Sequence, residues 1–162
     1  MNRKVLFAAV LIAILSVSGA FAFGIGVQFD GGPSSAGLGY GPSVTFKLDE
    51  LPVVFAANLG IRDNTVSLGL TGDWWMFDKQ IDSSLPVKWF FGYGFYGHLG
   101  FGNDLNLSLG GRLPIGLNAF FADGFVEPYL QVAPSIGIVL SPSVEFPDWS
   151  IPVSVGVRFW FD

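Results

Sequence analysis

The sequence predicts an all-β protein: a closed, up-and-down antiparallel transmembrane β-barrel of eight strands. Three observations support this fold class. Apolar residues alternate with small or polar residues along eight separate runs, a period typical of strands with one apolar face. The apolar positions of these runs carry no Asp, Glu, Lys or Arg. Charged residues make up only 13% of the chain, about half of their share in soluble domains.

The first 22 residues have the organisation of a signal peptide. Two basic residues precede an apolar stretch over 5–17, which is short for a membrane-spanning helix, and Ala20 and Ala22 form a small-x-small cleavage site. We therefore expect cleavage after Ala22. Residues 23–162 would then form one domain, the barrel, and the protein would be exported.

Composition argues against several classes of function. Without its two N-terminal basic residues the chain keeps six basic and 13 acidic residues, a formal charge of −7. An acidic exported protein is not expected to bind nucleic acid. The chain has no cysteine and a single histidine, His98, so neither a cofactor nor a metal is expected, and no enzymatic activity.

The first four runs cover about 24–29, 38–48, 53–62 and 65–77. Turn-forming residues separate them: 30–33 reads DGGP, 49–52 reads DELP, and Asp63-Asn64 is a two-residue hairpin signal. The second run shows the alternation most clearly, with Leu38, Val44 and Phe46 on one face and Gly39, Thr45 and Lys47 on the other.

The last four runs cover about 87–101, 105–118, 126–140 and 149–161. A Gly-Asn-Asp turn at 102–104 joins the first two of them. Prolines interrupt the alternation without changing its phase, and proline cannot donate a ladder hydrogen bond. We expect bulges or missing ladder bonds at these prolines: Pro42, Pro114, Pro128, Pro134 and Pro152.

The distribution of charge indicates which face meets lipid. Each run has an apolar, aromatic-rich face, whereas the opposite face is mostly small and polar with few charges. An apolar face without charge suits a bilayer, and a sheet in a bilayer must close to satisfy its backbone. Eight strands make a barrel just wide enough for its own side chains to fill. The predicted polar network of the lumen comprises Lys47, Arg62, Asp73, Lys88, Arg112, Glu127, Gln131 and Arg158.

Provisional strand registers suggest contacts within this network. They place Asp73 diagonally from Lys88, and Arg112, Gln131 and Arg158 side by side near mid-height. The three neighbours could be an anion-attracting constriction, but a structural polar network is favoured because small barrels fill their interiors in this way. His98 is expected opposite Ser108, which is either a polar pair in the barrel mouth or a lipid-cleaving nucleophile; both residues point inward, away from lipid, so the polar pair is favoured.

The chain ends in a pattern that carries a family resemblance. Ser154, Gly156, Phe159 and Phe161 are spaced as polar-x-Gly-x-x-apolar-x-aromatic. This spacing resembles the C-terminal assembly signal of bacterial outer-membrane barrels, although Asp162 follows the final aromatic residue. With the signal peptide and alternating strands, the mature chain resembles the small eight-stranded outer-membrane proteins of the OmpA transmembrane-domain, OmpX and OmpW type.

The resemblance implies an outer-membrane location and three kinds of partner: outer-membrane lipid, periplasmic chaperones and the barrel-assembly machinery. The family includes tethers, adhesins, pores and enzymes, so the fold does not determine the function. We expect a structural or surface-interaction role with a mostly occluded lumen. The alternatives are a narrow, weakly anion-selective pore and, less favoured, a lipid-modifying enzyme. The short candidate outer loops, 30–37, 63–64, 102–104 and 141–148, argue against a host-binding adhesin.

Overall fold

The computed structural model describes residues 22–62, 65–82, 85–102 and 104–161. Every regular element in these ranges is a β-strand. The strands are β1 (Phe23–Ser34), β2 (Gly37–Leu48), β3 (Val53–Arg62), β4 (Thr65–Gln80), β5 (Val87–Phe101), β6 (Leu105–Arg112), β7 (Ile115–Ala119), β8 (Val126–Val132), β9 (Ser135–Ser141), β10 (Glu145–Ser150) and β11 (Val153–Phe161). The signal-peptide prediction over 1–22 lies outside the described residues, apart from Ala22.

The strands close into an antiparallel barrel of eight crossings. Each of β1 to β5 crosses the barrel wall once. The other six strands form three further crossings, β6–β7, β8–β9 and β10–β11, because the two strands of each pair follow one another along the same neighbouring crossing; β6 and β7, for example, both pair with β5. The barrel closes where β1 pairs with β11, from Phe23 opposite Phe161 to Gly31 opposite Val153. This confirms the predicted all-β, closed barrel of eight strands. We call the end that holds Phe23 and Phe161 the terminal end, and the opposite end the distal end.

Three of the five in-strand prolines break the ladder as expected. Pro114, Pro134 and Pro152 lie in the gaps between β6 and β7, β8 and β9, and β10 and β11. By contrast, the strands continue through Pro42 and Pro128. Each of these two lies one residue beyond the end of a ladder on one side: the β2–β3 pairing starts at Ser43, and the β7–β8 pairing ends at Tyr129. Proline removes no bond from a ladder that has already ended.

Backbone hydrogen bonds cross the proline breaks and keep the wall closed. The amide of Leu113 donates to the Pro134 carbonyl, and the amide of Ala133 to the Pro152 carbonyl, each at 2.9 Å. The same row continues on either side, from Gly92 to the Pro114 carbonyl and from Ile151 to the Pro33 carbonyl. The carbonyl of each proline therefore accepts a bond from the neighbouring strand, although its nitrogen cannot donate one.

Strand ends differ from the predictions mainly at the distal end. β1 runs on to Ser34, so the predicted turn at 30–33 is in fact strand, and β10 begins at Glu145 inside the predicted loop at 141–148. The extension of β1 is stabilised by side-chain contacts to neighbouring strands, because the Asp30 carboxylate accepts hydrogen bonds from Ser43 and Ser154. Asp63-Asn64 and Asn103, in two other predicted turns, lie outside the described residues.

Burial in this barrel is inverted relative to a soluble protein. The buried set is mainly polar: Gln28, Ser43, Thr45, Lys47, Asp73, Ser108, Arg112, Asn118, Glu127, Gln131, Ser135, Ser154 and Arg158. Large apolar side chains are exposed on every crossing, for example Val27, Leu70, Leu130 and Val155. Such an exterior far exceeds the apolar patches that soluble monomers tolerate. No helix among the described residues is long and apolar enough to span a membrane.

Candidate functional site

The best-connected ion pair of the lumen lies towards the terminal end. Arg158 on β11 is directly opposite Glu127 on β8, and both side chains are 0% exposed. Arg158 Nε lies 3.1 Å from Glu127 Oε2, and Nη2 donates to Oε1 at 3.3 Å. Asn118 Nδ2 and Trp160 Nε1 donate to the same carboxylate at 2.8 Å each. Three neighbouring side chains thus compensate the buried charge of Glu127.

An aromatic stack lies in the lumen beside this pair. Trp75 and Phe90 are buried with parallel rings, 3.7 Å between centroids and 8° apart. The Arg158 guanidinium lies between the rings of Trp75 and Tyr129, with Cζ 5.0 Å from the Trp75 ring and 4.4 Å from the Tyr129 ring. Lys47 Nζ lies 4.3 Å from the Trp75 ring. Cation–π contacts of this kind strengthen when water is excluded.

The inward aromatics were missed in the sequence, although a signal was present. Trp75 shares the parity of Asp73, and Phe90 shares that of Lys88, so strict alternation places both rings inside. A β-bulge between Trp75 and Phe77 then returns Phe77 to the outer face. The lumen is therefore filled by aromatic rings as well as by small polar residues.

A second ion pair lies near mid-height. Arg112 Nε and Asp73 Oδ1 are 3.0 Å apart and both side chains are buried. Neither atom has a hydrogen bond of good geometry among the described residues, so the contact is an ion pair held by proximity rather than a linear hydrogen bond. Low local dielectric makes such a contact electrostatically strong.

Hydrogen bonds of the Asp30 side chain connect three crossings of the barrel wall, those of β1, β2 and β11. Its carboxylate accepts hydrogen bonds from Gln28 Nε2 at 2.7 Å, Ser43 Oγ at 2.5 Å and Ser154 Oγ at 2.6 Å. Tyr129 then donates to Gln28 Oε1 at 2.7 Å. The network links β1, β2, β8 and β11, so it crosses the closure of the barrel.

Two predicted contacts of the lumen are wrong. Asp73 pairs with Arg112 rather than with Lys88, whose Nζ lies 3.9 Å from Asp78 Oδ2 in a partly exposed position. In the observed register Asp73 is opposite Gly94, six residues from Lys88, because β4 continues to Gln80, beyond its predicted end, and the pairing of the hairpin shifts accordingly.

The predicted row of Arg112, Gln131 and Arg158 is also not formed. Arg112 is opposite Ser135, Gln131 is opposite Gly116 and Ser154, and Arg158 is opposite Glu127. The two arginines belong to separate ion pairs at different heights. Of the other predicted network residues, Lys47 is buried, and the Arg62 side chain lies outside the description.

The distal part of the lumen holds the single histidine. His98 is directly opposite Ser108, as expected, but no hydrogen bond joins these two described side chains. The Asp148 carboxylate, which was predicted to be in a loop, lies nearby. It accepts hydrogen bonds from Tyr96, on the same inward face as His98, at 3.1 Å (Oδ2) and from Ser35 at 2.7 Å (Oδ1). Among the described residues no cluster of His, Asp and Glu is arranged to hold a metal ion.

The C-terminal pattern occupies both faces of β11. Ser154 is buried, whereas Phe159 and Phe161 are exposed, and the Phe161 ring stacks on Phe23 with centroids 5.3 Å apart. Gly156 has a packing role, because a Cβ there would lie 2.6 Å from the Tyr129 hydroxyl and 2.8 Å from Gln28 Cβ. The glycine of the pattern therefore makes room for the hydrogen bond between those two residues.

The described geometry defines a class of protein: a closed antiparallel barrel of eight crossings, polar inside and apolar outside. No family model and no curated protein matches the sequence. Among solved structures, the crystal structure of Neisserial surface protein A is similar, with 18% sequence identity and a TM-score of 0.50 over 87% of this chain and 97% of that chain. The similarity at this identity establishes a shared fold.

Proposed function

We propose that the chain is an integral outer-membrane β-barrel of a double-membrane bacterium, with a structural or surface-interaction role and a mostly occluded polar lumen. The observation that carries the proposal is the inverted burial. Polar and charged side chains fill the interior, while every crossing exposes large apolar side chains. A lipid bilayer is the environment in which that arrangement is favourable. Closure of the barrel also leaves no strand edge whose backbone N–H and C=O groups would lie unpaired in lipid.

Occlusion of the lumen is supported by its contacts. The Arg158–Glu127 pair, the Trp75–Phe90 stack and the Arg112–Asp73 pair lie across the interior at two heights. Ion pairs that are fully desolvated need fixed partners. A barrel whose interior is cross-linked in this way stabilises the envelope by its presence and displays its distal turns, without a continuous path for solutes.

Planar-bilayer recording tests the occluded lumen. We expect the purified protein to show no conductance, because the two ion pairs and the aromatic stack obstruct the interior. The double variant Arg112→Ala/Arg158→Ala is expected to leak and to unfold at a lower temperature. Large, stable, cation-selective channels from the unmodified protein would contradict the occluded lumen.

A narrow, weakly anion-selective pore is the second candidate. The predicted lumen network holds five basic and two acidic residues, but it omits Asp30 and Asp148, whose carboxylates bond to groups of the barrel interior and distal rim. These two acids weaken the case for anion selectivity. The lipid-modifying enzyme is less favoured still, since His98 and Ser108 are opposite each other without a hydrogen bond. Membership of the OmpA, OmpX or OmpW type remains a prediction.

Assembly at the outer membrane would use lipid, periplasmic chaperones and the barrel-assembly machinery as partners. We expect Phe161→Ala to reduce insertion and leave processed, unfolded protein in the periplasm, because the last strand would lose its exposed aromatic and the stack on Phe23. Heat-modifiable electrophoretic mobility of the membrane fraction measures folded barrel. Phe121→Ala, at an exposed aromatic in the turn region between β7 and β8, is the matched control. Equal amounts of folded protein in both variants would contradict the role of the C-terminal pattern.

A further inference from the structure

The terminal half of the lumen holds more positive than negative charge. Lys47 and Arg158 are both buried there, and Glu127 is the carboxylate that contacts Arg158. Lys47 Nζ, in contrast, contacts two aromatic rings, 4.3 Å from the Trp75 ring and 5.6 Å from the Trp160 ring. Within the described residues, no carboxylate oxygen lies within ion-pair distance of Lys47. Glu127 acts on Lys47 only from beyond ion-pair distance, and a buried charge without a contacting counter-charge is costly, so an anion beside Lys47 would stabilise its charged form.

The stacking geometry places both cations on one side of Trp75. Phe90 lies parallel to that indole at 3.7 Å and therefore covers one of its faces. Lys47 Nζ and Arg158 Cζ, at 4.3 and 5.0 Å from the same ring, must share the other face. Two positive charges thus converge on a single small region that aromatic rings enclose.

Unused hydrogen-bond donors occur in the same layer. Arg158 Nη2 donates to Glu127 and Nε lies at ion-pair distance from it without a hydrogen bond of good geometry, while Nη1 is buried and has no partner among the described residues. Trp75 Nε1 is likewise buried without a partner in the described part of the chain. Fully buried donors are nearly always satisfied, and the positive charge of the layer favours an acceptor that is itself negative.

We propose that this layer binds a small inorganic anion of the halide type, with Arg158 Nη1 and the Lys47 ammonium as its principal donors. A monovalent anion would neutralise the excess charge of Lys47 and satisfy the free guanidinium nitrogen. The anion would act as a further element of the lumen closure. The inference goes beyond the proposed function, which does not depend on it.

Halide dependence of thermal unfolding tests the site in solution. The folded full-length mature protein in detergent micelles is unfolded in chloride, in bromide and in gluconate at equal ionic strength. We expect the midpoint to be higher in chloride and bromide than in gluconate, because a ligand that binds only the native state stabilises it. Lys47→Met removes the charge at similar length and is expected to abolish the difference. Lys88→Met, at the partly exposed lysine of the same end, is expected to keep it.

Bromide-soaked crystals give a direct readout of the position. An anomalous peak in contact with Arg158 Nη1 and Lys47 Nζ would support the site. A water or empty density there, equal midpoints in halide and gluconate, or an undiminished halide effect in Lys47→Met would each overturn it. A closed, non-conducting barrel that shows no halide effect would refute the anion site alone. A conducting barrel that keeps the halide effect would instead refute the occluded lumen.

Discussion

Replacing Arg158 by alanine is expected to destabilise the folded barrel by about 3–5 kcal/mol, because the change leaves the fully buried Glu127 carboxylate without its counter-charge. Asn118 and Trp160 would still donate to Glu127, but neutral donors compensate a desolvated charge incompletely. The guanidinium also fills the space between the Trp75 and Tyr129 rings, so the truncation adds a packing loss. Reversible urea unfolding in micelles, followed by tryptophan fluorescence, measures the change.

Two matched variants make this result specific to the ion pair. Lys88→Ala removes a cation of the same end whose contact to Asp78 is long and partly exposed, and it should cost less than about 1 kcal/mol. Arg158→Met combined with Glu127→Leu removes both charges and is expected to be more stable than Arg158→Ala. A loss in Arg158→Ala no larger than that in Lys88→Ala would show that the pair is not desolvated.

An arginine on the outer face should be nearly as disruptive near mid-height. Val153→Arg is expected to destabilise the protein in lipid vesicles by about 2–4 kcal/mol, since Val153 is exposed on the apolar exterior and a charge near the bilayer midplane is costly. The residue precedes Ser154, whose hydroxyl bonds to the mid-height Asp30. Equilibrium unfolding in vesicles measures the difference.

The control for depth is the same substitution at the end of the barrel. Leu51→Arg changes an equally exposed leucine in the turn between β2 and β3, where a charge reaches water and should cost only about 0–1 kcal/mol. Equal costs at positions 51 and 153 would contradict the placement of the barrel in a bilayer.

Alternation was sufficient to predict the barrel because each strand has one face in each environment. The eight runs, the inward placement of Lys47, Asp73, Arg112 and Glu127, and the pairing of His98 with Ser108 all follow from a period of two and from short turns. A one-residue error in register exchanges the faces of a strand, so the charge distribution strongly constrains parity. The charge distribution does not determine which inward side chains contact each other.

Contacts inside the lumen depend on the register of each strand pair, which the turn lengths assumed from the sequence did not fix. Asp73 is opposite Gly94, six residues along β5 from Lys88, and Arg112 is opposite Ser135, four residues from Gln131. Asp30 was assigned to a turn because DGGP is turn-like in isolation. Its carboxylate instead bonds to Ser43 and Ser154, which are distant in sequence, so the strand is continued by tertiary partners that local propensity does not encode.

The placement of the outer face in lipid is tested most directly by cysteine scanning, for which the cysteine-free chain is well suited. Single cysteines are introduced from Val66 to Thr71 on β4, and the protein in vesicles is labelled with a thiol reagent confined to the lipid phase. We expect labelling at Val66, Leu68 and Leu70, which are exposed, and protection at Gly69, which is buried, with weak labelling at Ser67 and Thr71. Labelling at Ser67, Gly69 and Thr71 with protection of the three apolar positions would contradict the barrel's orientation, and uniform labelling would contradict a membrane-spanning strand.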